Sequence, residues 1–334
     1  MRPVSSRPNW LFAAIRTAPI AGIGLLLATP AAAAGPDQYP ERLIKIVVPA
    51  AAASAPDVLG RIVADKLQSK WSKPVIVENR PGNIGNIGAE AVAKAEPDGY
   101  TLLVAQPAPL AINQHVFNNL RFDPAALVPI TVIAAAPNVL VARPTLGVSD
   151  VQELIAMAKS NPGKLTYGST GKGSTMHLSA EMLKAHAGID IVHLSYKSPS
   201  EYLTDMLGGR IDFAFANTIG VLSLVESGHL RALAVGSAQR SELLSNVPAL
   251  AETIPGFVST TWFAVVAPPK TPPQLVEKLS SAIAVALREP DAIARLQNLM
   301  ATPVLNSPSV AASFIREESA RWRKVIVAAG IKPE

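Results

Sequence analysis

VIVENRPGNIGNIGAEAVAKAEPDGYTLLVA, residues 75–105, sets the reading of the whole chain. Val75 to Val77 is a β-branched run that reads as a strand, and the Gly/Asn-rich stretch Asn79 to Gly88 reads as a loop. A short helix runs from there to Ala95. Glu96-Pro97-Asp98-Gly99 is a turn signal, after which Tyr100 to Ala105 resumes as a strand. Upstream, Ile44 to Val48 reads as a first strand. Asp57 to Lys70 follows as a helix, with Val58, Leu59, Ile62, Val63 and Leu67 on one face. The first part is therefore β-α-β-α-β, the alternation from which parallel sheets are built.

A second set begins after Ala136-Pro137-Asn138. Ser149 with Gln152 resembles a capping box that opens a helix from Asp150 to Ser160. Strands are expected at Leu165 to Tyr167, Ile191 to Leu194, Asp212 to Phe215 and Ala232 to Val235. Helices between them run to Ala187, over Tyr202 to Leu207, and to Glu226. The chain then returns to the first unit through a strand at Trp262 to Ala267 and two helices, Pro272 to Leu287 and Pro308 to Ala329. Two connections, near residues 137 and 257, would act as hinges.

Arg2, Arg7 and Arg16 precede an apolar run from Ile20 to Leu27, then Pro30 and an Ala-rich segment ending at Ala34-Gly35. That order predicts a secretory signal over residues 1–34, with the core too short for a membrane span of roughly 20 residues. Its three cations account for a fall in formal net charge from +5 to +2 on removal. The remaining charges are interspersed, which points away from a nucleic-acid groove. With no cysteine in the chain, stability must come from core burial.

Ligands of open α/β sheets sit at the carboxyl ends of strands, against helix N-termini with unpaired N–H groups. Two loops fit that place: Pro49 to Pro56, with Ser54 and Asp57 as caps, and Gly168 to Thr175, with its glycines and hydroxyls. Facing each other, they could hold a carboxylate by uncharged donors. Hydrogen bonds to a charged group are each worth roughly 1.5–3 kcal/mol, so three or four reach the ~8 kcal/mol of micromolar affinity. The second loop is not a phosphate loop, because Lys172 is followed by Gly173 and no Gly stands five residues before Gly171. Ser174 and His177 offer a hydrolase alternative but lack the G-x-S-x-G elbow. The five histidines show no metal-ligand spacing. Lys197 and Asp205 read as a structural ion pair.

Several segments resemble signatures of the Bug family of extracytoplasmic solute receptors, the substrate-binding component of tripartite tricarboxylate transporters. They include IVVPAAAASAPDVLGRIVA from Ile46, the ENRPGxxGNIGAEAVAxAxPDGYTLL block, LTYGSTGKGSTMHLSAEML from Leu165, and LSYKSPSEYLTDMLGGRIDFAFAN from Leu194. The resemblance implies a type II periplasmic-binding-protein fold: two α/β lobes, each with a mostly parallel sheet flanked by helices, joined by a two-segment hinge. Residues 35–137 and 258–334 would form lobe 1 and 138–257 lobe 2. It also implies a periplasmic monomer without cofactor, metal or catalysis. Its ligand would be a di- or tricarboxylate, an aromatic acid, or a small amide or amino acid. The partner would be permease subunits or a sensor receptor. Carried over by position, the ligand-binding residues are Ala51, Ala52, Ser54, Gln106, Ala108, Ser169, Thr170, Ser174 and Asn217. The sequence departs from the family pattern at Ala50, Ala53-Ser54, Gln106-Pro107 and Ser198.

Overall fold

The computed structural model describes residues 39–333; the expected signal, residues 1–34, lies outside them. The expected alternation is present. Strand β1 (Ile44–Val48) leads into α1 (Ala55–Trp71), β2 (Val75–Asn79), α2 (Asn86–Ala93) and β3 (Thr101–Ala105). β1 pairs in parallel with both β2 and β3. The inner face of α1 carries Leu59, Ile62, Val63 and Leu67, all buried in the first core. Each such side chain contributes about 1.5–3 kcal/mol relative to exposure.

The sequence reading places a break at residue 137, and here the structure differs. Val128–Ala142 is one 15-residue strand, β4. Its first part pairs antiparallel with β9 (Thr260–Ala267), as far as Pro137 opposite Thr260. From Asn138 onward it pairs instead with β7 (Phe213–Asn217) and β8 (Arg231–Val235). A proline inside a central strand normally argues against a strand, because it removes a ladder donor. Pro137 stands where the strand passes from one set of partners to the other. Its carbonyl accepts from Thr218 Oγ1 at 3.1 Å.

The second half contains α3 (Val151–Ser160), β5 (Thr166–Ser169), α4 (Thr175–Ala187), β6 (Val192–Ser195), α5 (Pro199–Leu207) and α6 (Thr218–Glu226), then the single turn α7 (Leu250–Thr253). β5 pairs in parallel with β6 and β7. The cap of α3 is Asp150, one residue later than expected. Its carboxylate accepts from Glu153 N–H, while Glu153 accepts from Ser149 N–H. Helices α8 (Pro273–Leu287) and α10 (Pro308–Ala328) return to the first half, together with the unanticipated α9 (Pro290–Gln297) and short β10 (Thr302–Pro303). The strand order is β2-β1-β3-β9-β4-β7-β5-β6, with β8 and β10 also on β4. The two largest hydrophobic cores lie on either side of the crossing, with a smaller one on the other face of the first sheet and another joining Ile112 and Val116 to Leu178 and Trp322; the molecule is two-lobed. Among the described residues no helix is long and apolar enough to cross a membrane.

At the crossing the chain is held by a buried polar cluster. Asn138 N–H donates to Ser259 O (2.9 Å), Gly236 N–H to Asn138 O (2.6 Å) and Ser259 N–H to Gly236 O (2.8 Å). Asn138 Nδ2 donates to Ser259 Oγ, and Thr261 Oγ1 donates to Asn138 Oδ1. Ser179 and Thr175 of α4 join through Ser259 and Thr261. A buried network of this kind stabilises only when its members are satisfied, and these groups satisfy one another.

Candidate functional site

A cavity of about 1020 Å³ opens between the lobes, with Ala51, Ala52, Ser54, Gln106, Thr170 and Asn217 of the expected residues on its wall. Ala108, Ser169 and Ser174 are not on that wall. Ala108 begins a wide turn, Ala108–Ile112, that is buried throughout. Ser169 is fully buried, with its Oγ hydrogen-bonded to His193 Nε2 (2.7 Å) and accepting from Gly171 N–H (3.1 Å). Ser174 is the N-cap of α4, its hydroxyl accepting from His177 N–H at 3.2 Å. Ser174→Ala is therefore expected to lower stability by about 1 kcal/mol through the lost cap, read as a shift in the denaturant midpoint at constant m-value.

The first loop is shaped by Asp57. Its carboxylate accepts from Ala53 N–H (2.8 Å), Arg61 Nε (3.0 Å) and Asn79 Nδ2 (2.9 Å). Burial alone would raise the Asp57 pKa, but the bonds from Arg61, Asn79 and Ala53 outweigh it and hold the group below its ordinary value. Ala53 is pulled into the left-handed region at φ 61°, where a Cβ costs roughly 1–2 kcal/mol. Ser54 donates its hydroxyl back to Ala51 O at 2.5 Å, so that hydroxyl is committed to the loop.

Three helix N-termini contribute to the wall. They are α1 through Ala55 and Pro56, α5 through Ser198 to Leu203, and α6 through Asn217, Gly220 and Val221. Each end offers partial positive charge and unpaired N–H groups. Asn217 caps α6 by accepting from Ile219 N–H through Oδ1 (3.2 Å). Its Nδ2 has no partner, although the residue is only 4% exposed. The apolar part of the wall includes Ile84, Phe117, Met176, Leu203, Val221 and Phe263. Nothing in the sequence marks these residues, because an apolar wall residue carries no pattern distinguishing it from core.

Below the second loop lies an aromatic stack. Tyr167 packs on His193 at 4.9 Å, and His177 lies 4.5 Å from His193, centroid to centroid. Burial, reinforced by Lys172 and Lys184, lowers the His177 pKa to about 4. Burial, then His177, does the same for His193 against the opposing pull of Glu181. His177 Nδ1 accepts from Gly173 N–H at 3.3 Å; it is Ser174's contact with the His177 backbone that links those two residues. The expected Lys197–Asp205 pair is not formed. Asp205 instead takes Arg210 (2.7 Å) and the Tyr196 hydroxyl (2.9 Å), because Arg210 reaches it across the turn after α5. Among the described residues no group of three His, Asp or Glu is placed to hold a metal ion.

Two lobes on one shared strand, with helix N-termini converging on the cleft between them, define a binding protein of the type II periplasmic kind. The family model described as tripartite tricarboxylate transporter family receptor matches residues 59–331. The chain belongs to that family. It is 36% identical over 318 residues to the protein BugT of Bordetella pertussis, covering 94% of this chain and 98% of that one. Among solved structures it resembles R. palustris Rpa4515 with adipate, at 36% identity and TM-score 0.86, covering 89% and 100% of the two chains. It also resembles MatC (Rpa3494) from Rhodopseudomonas palustris with bound malate, at 27% identity and TM-score 0.81, covering 86% and 100%.

Proposed function

We propose that this protein captures a small organic carboxylate, a di- or tricarboxylate or an aromatic acid, in the interlobe cleft. It works without catalysis, in the periplasm, as a monomer that delivers its ligand to the permease subunits of a tripartite transporter. The observation that carries the reading is the unpartnered, almost fully buried Nδ2 of Asn217 on a wall made partly by three helix N-termini. A buried donor left unmade costs roughly 1–3 kcal/mol, and a carboxylate oxygen would complete it. The adipate and malate held by two relatives are of the same chemical class. Of the expected bounds, the described residues 39–137 and 258–333 are assigned to lobe 1 and 138–257 to lobe 2. Closure then turns about Pro137–Asn138 and the segment leading to Thr260.

The test is a thermal-shift and titration panel of mono-, di-, tri- and aromatic carboxylates on ligand-stripped protein. Saturable stabilisation following RT ln(1 + [L]/Kd) is expected for at least one. A flat response to the whole panel would sink the proposal. Asn217→Asp keeps an N-cap acceptor but replaces the donor by a carboxylate. Affinity should fall at least about 10-fold, the worth of one hydrogen bond to a charged group, measured on variant protein shown to be folded by circular dichroism.

A further inference from the structure

Four consecutive residues, Gly82, Asn83, Ile84 and Gly85, have positive φ (126°, 46°, 50° and 89°). Glycine accommodates this freely, and asparagine tolerates it. For a β-branched residue it is a true outlier. Such conformations persist only where the surroundings enforce them. Here they do: the Ile84 carbonyl accepts from Asn113 Nδ2 at 3.1 Å, and Gly85 N–H donates to Gly82 O at 3.0 Å. Asn113 is fully buried and is itself bonded to Asn86 Oδ1 at 2.6 Å.

The strained backbone points the Ile84 side chain across the cleft. A Cβ built on Gly171, in the opposite lobe, would lie 3.0 Å from Ile84 Cδ1 and 3.1 Å from Cγ1. Gly171 has φ 119° and so can present bare backbone to it. Next to it, a Cβ on Gly173 would lie 2.9 Å from Val116 Cγ2, again across the lobes. Ile84 and Gly171 both line the cavity. The contact is thus part of the wall between the two loops that would hold the ligand.

We infer that Ile84 is a specificity-determining residue of the cleft: resting on Gly171, it blocks the gap between the lobes and limits the length of ligand that fits. This deepens the carboxylate reading above and rests on it. Ile84→Ala removes the reach to Gly171, and Ile84→Leu restores it without branching at Cβ. Two measurements test the role. The first is calorimetric titration of wild type and both variants with adipate and with sebacate, a longer unbranched diacid. The second is the ligand-free lobe separation by pulsed electron paramagnetic resonance, with spin labels on cysteines introduced at Ile76 and Val192. Those positions are exposed, lie on the outermost strands β2 and β6, and would be the sole thiols in a chain without cysteine.

In Ile84→Ala the separation should lengthen, and the sebacate-to-adipate Kd ratio should fall about tenfold, the scale on which a pocket distinguishes methylenes. Ile84→Leu should return both toward wild type. An unchanged separation overturns the contact, and a changed separation with an unchanged ratio overturns the selectivity. If neither acid binds wild type, diacid selectivity is overturned, while the label distances still decide whether Ile84 bridges the lobes.

Discussion

Gly236→Ala is expected to destabilise the protein by more than about 4 kcal/mol, the scale reserved for a disrupted core or backbone network. In a chain of this size that lowers the melting temperature by on the order of 10 °C. An added Cβ would stand 2.3 Å from Ser259 O and 2.8 Å from Asn138 O. Both atoms are backbone, and both are engaged in the bonds that hold the crossing, so neither can swing aside as a side chain would. Relief would have to come from parting the two strands where the lobes meet. Ser259→Ala is the control. It removes side-chain bonds to Asn138 and Ser179 without adding volume and should cost about 1–2 kcal/mol. Equal melting temperatures for the two variants would show that steric exclusion at Gly236 is not what matters.

Asp57→Ala should cost about 1–3 kcal/mol, since Ala53 N–H loses its acceptor and Asn79 Nδ2 keeps only Ala50 O. Arg61 is half-exposed and regains water, so Arg61→Ala should cost under about 1 kcal/mol. The pH dependence separates this from simple loss of packing. The Asp57 pKa is depressed in the folded protein. Its contribution is therefore complete above the unfolded value of about 3.9 and disappears as pH falls through the folded value. The stability gap between wild type and Asp57→Ala, measured by urea unfolding, should be constant from pH 8 to 5 and shrink below about pH 4. A gap of the same size at pH 3 and pH 7 would assign the effect to packing alone.

Most of the fold was readable because alternation of strand and helix leaves local marks. The turn at Glu96-Pro97-Asp98-Gly99 and the apolar face of α1 are examples, and each element they announce is present. What escaped was the element whose logic is not local. β4 reads as a broken segment because Pro137 interrupts it, and only the exchange of partners between Thr260 and Asn217 makes a proline acceptable there. The candidate site was legible at the level of loops, since strand ends and helix starts mark them. It was not legible at the level of atoms. Whether a serine hydroxyl faces a ligand or its own helix depends on a rotation about one bond. Ser54 and Ser174 are engaged with neighbouring backbone, while Asn217, a helix cap in the structure, retains an unpartnered amide. Ile84 was hidden differently: nothing in a string of residues announces a positive φ at isoleucine.

The passage of β4 through both sheets also orders events as the chain is made. β3 offers Leu103, Val104 and Ala105 to β9, whose Ala264 to Val266 arrive some 160 residues later. Until then the β1–β3 unit has an open, wholly apolar edge, the kind of edge that templates aggregation. Lobe 2 has no such wait. Every strand it needs lies between Asn138 and Val235. A chain emerging from its N-terminus can therefore pair every strand of its second lobe while the β3 edge is still open, and Phe257 and Met300 join that lobe's core afterwards.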